Sequence, residues 1–264
     1  MQLKTTAEYH LYREAAAKST QILQALHDAV KVGVKPREIG TLAANLCQEA
    51  GGKPNFLGVP GKFNAYEYAT CISVNDAVLH GIPNSVPLKV GDIVKLDFGL
   101  SYKGVNTDHC CRVVVDHFLN KDDERLVKTA RQTVWQAAQR AIAGRQVGDI
   151  SSVLESGARS ANLEVIKEYV GHGIGHTLHE EPQIPAFGEP KTGERLKVGQ
   201  VLCVEAQFML GSDEISYDDD GWTIRSADGK NTAMFEYMVV VGREKAEILT
   251  PTFNFSLTTS QKSW

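Results

Sequence analysis

No run in the 264-residue chain is apolar for long enough to span a membrane, and Met1-Gln2-Leu3-Lys4-Thr5-Thr6-Ala7-Glu8 lacks the apolar core of a signal peptide. The expectation is a soluble, cytoplasmic protein. Positive charge is not in excess either. A net charge of -4 removes the electrostatic case for nucleic acid or anionic membrane as partners. Cysteine is sparse and unpaired: Cys47, Cys71, Cys110, Cys111 and Cys203 are five, an odd number without metal-type spacing, in a chain too large to need a disulfide framework. They read as reduced thiols. The glycines around His172, in Gly171-His172-Gly173-Ile174-Gly175-His176, come without Lys-Ser/Thr and without a strand, Gly-rich loop, helix order, so they are not a phosphate loop. Nor is this stretch a zincin motif, which needs its two histidines at helical spacing on one face.

What the chain does have is acids on strands. The alternating, β-branched runs flanking Tyr102-Lys103-Gly104 read as a hairpin, and a turn centred between Tyr102 and Lys103 would set Asp97 opposite Asp108. Opposed side chains in a sheet have Cβ atoms about 5 Å apart, and like charges there are destabilising. A divalent cation between them is the economical remedy, since hard oxygen ligands suit such ions.

The arrangement recurs. Leu88-Lys89-Val90-Gly91-Asp92-Ile93-Val94-Lys95-Leu96-Asp97 aligns without a gap on Leu196-Lys197-Val198-Gly199-Gln200-Val201-Leu202-Cys203-Val204-Glu205, so Asp97 falls on Glu205. Leu79-His80-Gly81-Ile82-Pro83 likewise matches Leu178-His179-Glu180-Glu181-Pro182. Glu236 takes the part of Asp108, with the second turn centred on Asp220-Gly221, a strong turn signal.

Around these hairpins the spacing predicts helices. Thr5 or Thr6 with Glu8 starts one that runs to a stop at Gly33, and Pro36 begins another that ends at Gly51-Gly52. Asp122-Asp123-Glu124 caps a third running to about Ala143, and Val147 to Ala161 is a fourth. The order helix, helix, strand, His-bearing loop, hairpin thus occurs twice. It predicts a single catalytic domain over residues 1–264, built from related halves at about 1–118 and 119–250 with a short tail. The loop from Lys53 to Tyr68 reads equally as a site wall or as a satellite hydrophobic cluster. The tail from Pro251 to Trp264 reads as a loose end or a strap.

Together, Asp97, Asp108, His172, Glu205 and Glu236 exceed what one small ion takes from protein, and carboxylates bridge, so two metal ions are the economical reading. Unrelated surface or salt-bridged residues are the bland alternative, and the mirrored hairpins argue against it.

With Cys71-Ile72-Ser73-Val74-Asn75, His80-Gly81-Ile82-Pro83, Gly91-Asp92-Ile93-Val94, Gly171-His172-Gly173-Ile174-Gly175 and His179-Glu180-Glu181-Pro182 in place, the chain resembles the type I methionine aminopeptidases over nearly its whole length. The resemblance implies an α+β, pita-bread (aminopeptidase/creatinase-like) fold: two pseudo-symmetric halves with a central antiparallel sheet covered by helices. It implies two divalent ions, of Fe, Mn, Co or Zn, with Asp97 on one, His172 and Glu205 on the other, and Asp108 and Glu236 between them. Glu205 would relay a proton while His80 and His179 contact the substrate, and Phe63, Tyr66, Cys71 and Trp222 would line an apolar methionine pocket.

The implied activity is hydrolytic removal of the amino-terminal methionine from nascent proteins and peptides, with a preference for a small second residue. The expected partners are Met-initiated peptides and nascent chains, with transient ribosome association, for a monomer. Departures from the family pattern are Ala206, Met234 and Tyr237 beside the ligands, read as tuning the metals, and Pro60, Leu178 and Gln207 in the pocket. Rival readings are a pita-bread peptidase of other specificity, such as a proline type, or a catalytically weak binding paralogue.

Overall fold

Thr5 accepts a hydrogen bond from Glu8 N while its own N–H donates to the Glu8 carboxylate, and this reciprocal box starts α1 (Thr6–Ala29) in the computed structural model, which describes residues 1–61 and 63–260. Pro36 then opens α2 (Pro36–Glu49). Two further helices precede the second hairpin, α3 (Lys121–Ala138) and α4 (Val147–Ser160). Asn120, not the acids after it, caps α3 by accepting from Asp123 N. That helix stops five residues short of the expected Ala143, because Ile142 bridges to Gly242 and draws the chain toward the sheet.

Each pair of helices covers one face of an antiparallel sheet. In the first, strand Ile93–Phe98 lies between Cys71–Val74 and His109–Val114. In the second, Val201–Met209 lies between Gly171–Gly173 and Thr232–Val240. Successive side chains on a strand point to opposite faces. Val94, Leu96 and Phe98 therefore join α1 and α2 in one core, and Leu202, Val204 and Phe208 join α3 and α4 in another. Asp97 and Glu205, of the other parity, turn away from their helices toward the interior. All nine residues of both Val201–Met209 and Thr232–Val240 are buried, so these strands are covered on both faces.

The two hairpins differ in register. Glu205 pairs directly with Glu236, as a turn at Asp220-Gly221 requires, although the strands continue through the smaller ribbon Ile215–Tyr217 and Ile224–Ser226. Asp97 pairs with Cys110, not with Asp108 as the sequence had suggested. The cause is the turn: Lys103 and Gly104 both adopt positive φ, 49° and 84°, so the loop is two residues long and its centre lies one residue later. Asp108 keeps the same parity and meets Asp97 diagonally.

The tail straps back onto the first sheet: Thr258 bridges Val114 and Arg112 donates through Nη1 to Leu257 O over 3.2 Å. The end of the expected tail, residues 261–264, lies outside the described residues. No helix among the described residues is long and apolar enough to cross a membrane.

Candidate active site

The interior faces of the two sheets meet at a cavity of about 490 Å³. Asp97, Asp108, His172, Glu205 and Glu236 all line it. The carboxylate oxygens of Asp97, Asp108 and Glu236 come within 4.8 Å of one another, as do ligand atoms of Asp108, His172 and His179. His172 Nε2 lies 3.9 Å from Asp108 Oδ2 and 4.0 Å from Glu205 Oε1. Its other nitrogen, Nδ1, donates to Gly173 O over 2.9 Å. A carbonyl only accepts, so Nδ1 carries the proton and Nε2 offers a lone pair to the acids.

Asp108, His172, Glu205 and Glu236 are buried, Glu236 at 2 % exposure and Asp108 at 5 %, and Asp97 is partly buried. Burial pushes the Asp97 carboxyl up to about 8, helped by the charge of Glu205. It pushes Glu205 to about 7, against a lowering hydrogen bond from Gln207. Asp108 and Glu236 are driven well above the carboxylate range by burial and by their acidic neighbours. Burial, and then the nearby His179, pulls His172 down to about 4, so its imidazole is neutral at physiological pH. Among the described residues, no Lys or Arg lines the cavity to answer these carboxyl groups.

The residues fit divalent metal. Asp97 Oδ1, Asp108 Oδ1 and Glu236 Oε1 are buried without a hydrogen-bond partner among the described residues, a costly condition for acids unless a cation meets them. Oxygen donors with one neutral imidazole are the ligand set of Mn, Fe, Co or Zn more than of a thiolate site.

The rest of the cavity is apolar. Phe56, Tyr66 and Cys71 form a buried cluster with Val59, Leu178 and Trp222 packed against it. Tyr66 donates its hydroxyl to the carbonyls of Thr70 and Gly81, at 3.1 and 3.0 Å, and so presents only its ring. His80 stands in the same wall, edge-on to Tyr169 at 5.3 Å and to Trp222 at 6.2 Å, and burial pulls its pKa to about 4. His179 packs edge-on to His172 at 4.5 Å, with a ring nitrogen within 4.8 Å of a carboxylate oxygen of Asp108.

Several sequence assignments need correction. Phe63 does not line the cavity; it is 75 % exposed and lies against Gly221, while Phe56 takes the place expected of it. The signal was in the neighbours: Phe63 sits between Lys62 and Asn64, whereas Phe56 leads into Leu57-Gly58-Val59. Of the departures beside the ligands, Ala206 and Tyr237 point to the helix side, Tyr237 against Trp135 at 5.2 Å, and only Met234 reaches the cavity. Pro60 and Gln207 are off the cavity wall, and Leu178 is on it. The loop from Lys53 to Tyr68 is both satellite cluster and site wall. Tyr169, which the sequence did not single out, faces His80; no local pattern marks it.

The description of metallopeptidase family M24 matches residues 10–243. Methionine aminopeptidase 1 of Bacillus subtilis is 33 % identical over 247 residues, 94 % of this chain and 98 % of that one. The crystal structure of methionine aminopeptidase from Thermotoga maritima superposes with a TM-score of 0.89 at 33 % identity, covering 95 % of this chain and 99 % of that one. Prolidase from Pyrococcus furiosus, at 20 % identity, shares the fold with a TM-score of 0.74, covering 95 % of this chain and 65 % of its own. The common architecture is the pita-bread fold.

Proposed function

Because the chain belongs to metallopeptidase family M24, whose cofactor is divalent metal, we propose that it is a methionine aminopeptidase, removing the amino-terminal methionine from peptides and nascent proteins with a preference for a small second residue. The observation that carries this reading is the junction of an uncompensated acidic cluster with an apolar, thiol-containing pocket in one cavity. Two ions would be held, one by Asp97, the other by His172 and Glu205, with Asp108 and Glu236 bridging. When bound, they supply Lewis-acid polarisation of the scissile carbonyl and acidify a water near neutral pH.

The chain's own groups do the remaining work. Phe56, Tyr66, Cys71 and Trp222 enclose the methionine side chain, whose thioether suits an aromatic and sulfur-bearing surface. Neutral His80 and His179 offer hydrogen bonds to the carbonyl and to the departing amine. Glu205 takes a proton and passes it on, a role that a carboxyl held near 7 suits. Two related halves, about 1–118 and 119–250, supply one hairpin each. A cytoplasmic monomer with transient ribosome contact completes the proposal.

A panel of Met-Ala-Ser, Met-Gly, Met-Gln, Leu-Ala and Xaa-Pro peptides, assayed with Mn, Fe, Co and Zn, tests it. Met-Ala and Met-Gly should be cleaved far faster than the rest, and only with metal. Faster cleavage of Xaa-Pro substrates, or equal rates after chelation, would refute the assignment.

A further inference from the structure

We infer that Gln207 is a positioning residue of the metal centre: its side-chain amide holds Oε2 of Glu205 and leaves Oε1 alone to share an ion with His172. The inference rests on the proposed reading of Glu205 and His172 as ligands of one ion. Gln207 and Glu205 lie two residues apart on one strand and so share a face. Gln207 is fully buried, and its Nε2 donates to Glu205 Oε2 over 2.6 Å. Glu205 Oε1 is the oxygen that approaches His172 Nε2, at 4.0 Å.

The ionised form of Glu205 sets the orientation of the amide. Oε1 of Gln207 is buried without a hydrogen-bond partner among the described residues, and a flip would set that oxygen against the carboxylate. The donor end is therefore committed. A hydrogen bond to an ionised acceptor is shorter and about twice as strong as a neutral one. A carboxylate whose second oxygen is engaged in this way cannot swing to chelate an ion through both oxygens. It presents one donor atom at a fixed place, which is what a shared coordination position needs. Gln207 is not part of the cavity wall, so it acts through Glu205 and not on substrate.

Calorimetric titration of Mn²⁺ into the metal-free full chain tests this, comparing wild type, Gln207→Met, Gln207→Leu, Gln207→Asn and Glu205→Gln. Gln207→Met and Gln207→Leu remove the donor and keep apolar volume; Gln207→Asn keeps an amide but is one methylene too short to reach. In each variant one ion should bind 10- to 100-fold more weakly, the scale seen when a ligand's supporting partner is lost. The saturating stoichiometry should be unchanged, and kcat should fall at near-constant KM. Wild-type affinity at every ion in the Gln207 variants, with weakened binding in Glu205→Gln, overturns the inference and leaves the ligand reading standing. Wild-type binding by Glu205→Gln overturns both.

Discussion

His80 and His179 carry matching neighbours in the sequence and unlike ones in the fold, His80 among Tyr169 and Trp222, His179 against His172. If both act on substrate, His80→Ala and His179→Ala should each lower turnover of Met-Ala-Ser about 10²-fold or more, the scale of general acid-base or oxyanion assistance. Bound metal and melting temperature should barely move. Two other histidines calibrate the result. His176 is exposed and donates to Gly104 O at 2.8 Å, so His176→Ala should be nearly neutral. His109 is buried against Ser19 Oγ at 2.9 Å, so His109→Ala should lose about 1–3 kcal/mol of stability while turnover per folded molecule stays. Comparable turnover losses at all four positions would remove the two loops from catalysis.

A single strand, Val201–Met209, divides its labour by parity. Val204, Ala206 and Phe208 fill the core under α3 and α4; Cys203, Glu205 and Gln207 face the interior. The two faces should answer differently to substitution. Phe208→Ala should cost about 3–5 kcal/mol in denaturant unfolding, the price of emptying a buried aromatic site, with activity per folded molecule retained. Glu205→Gln should abolish most turnover and leave the metal-free protein at least as stable, because it removes one carboxyl from an uncompensated cluster. A large stability loss in Glu205→Gln would mean the acid is a structural partner.

Across the whole molecule, the buried acids tie stability to pH. Asp97, held at about 8, and Glu205, at about 7, keep protons that the unfolded chain has released above its ordinary values of 3.8 and 4.5. Their contribution to the metal-free fold is complete below those ordinary values and is lost as pH rises through 7 to 8. Lys95, pulled down to about 7 by burial, and His80, at about 4, run in the opposite sense, so their contributions grow as pH rises. The melting curve of the metal-free protein therefore sums opposing slopes. The gain on adding Mn²⁺ isolates the acids, because Lys95 and His80 are common to both states. Metal displaces the carboxyl protons, so that gain should grow between pH 6 and pH 8.5. At a hundredfold excess over Kd, one ion adds about 2.7 kcal/mol. A gain that is flat or shrinks with pH, measured by scanning calorimetry with and without chelator, would contradict the burial of these acids.

Whatever is written in short-range pattern was legible in the chain alone. The capping box at Thr5, the helix start at Pro36 and the register of Glu205 on Glu236 follow from spacing, because helix starts and tight turns are decided by a few adjacent residues. The internal repeat went further and singled out the acids and histidines that the fold brings to one cavity. The register at Asp97 was missed because it depends on whether Lys103 and Gly104 both enter the left-handed region, which no count between carboxylates reveals. The faces of Ala206 and Tyr237 follow from the two-residue period of their strands, which sets them on the helix side, opposite to Glu205 and Glu236. Other features exist only between distant segments. Phe56 rather than Phe63 meets Tyr66 and Cys71 because of how one loop folds back, and Tyr169 faces His80 across nearly ninety residues of sequence. The uncompensated charge is of the same kind: each acid is ordinary in its own strand, and only the closing of two sheets over them removes water and sets the demand for a cation.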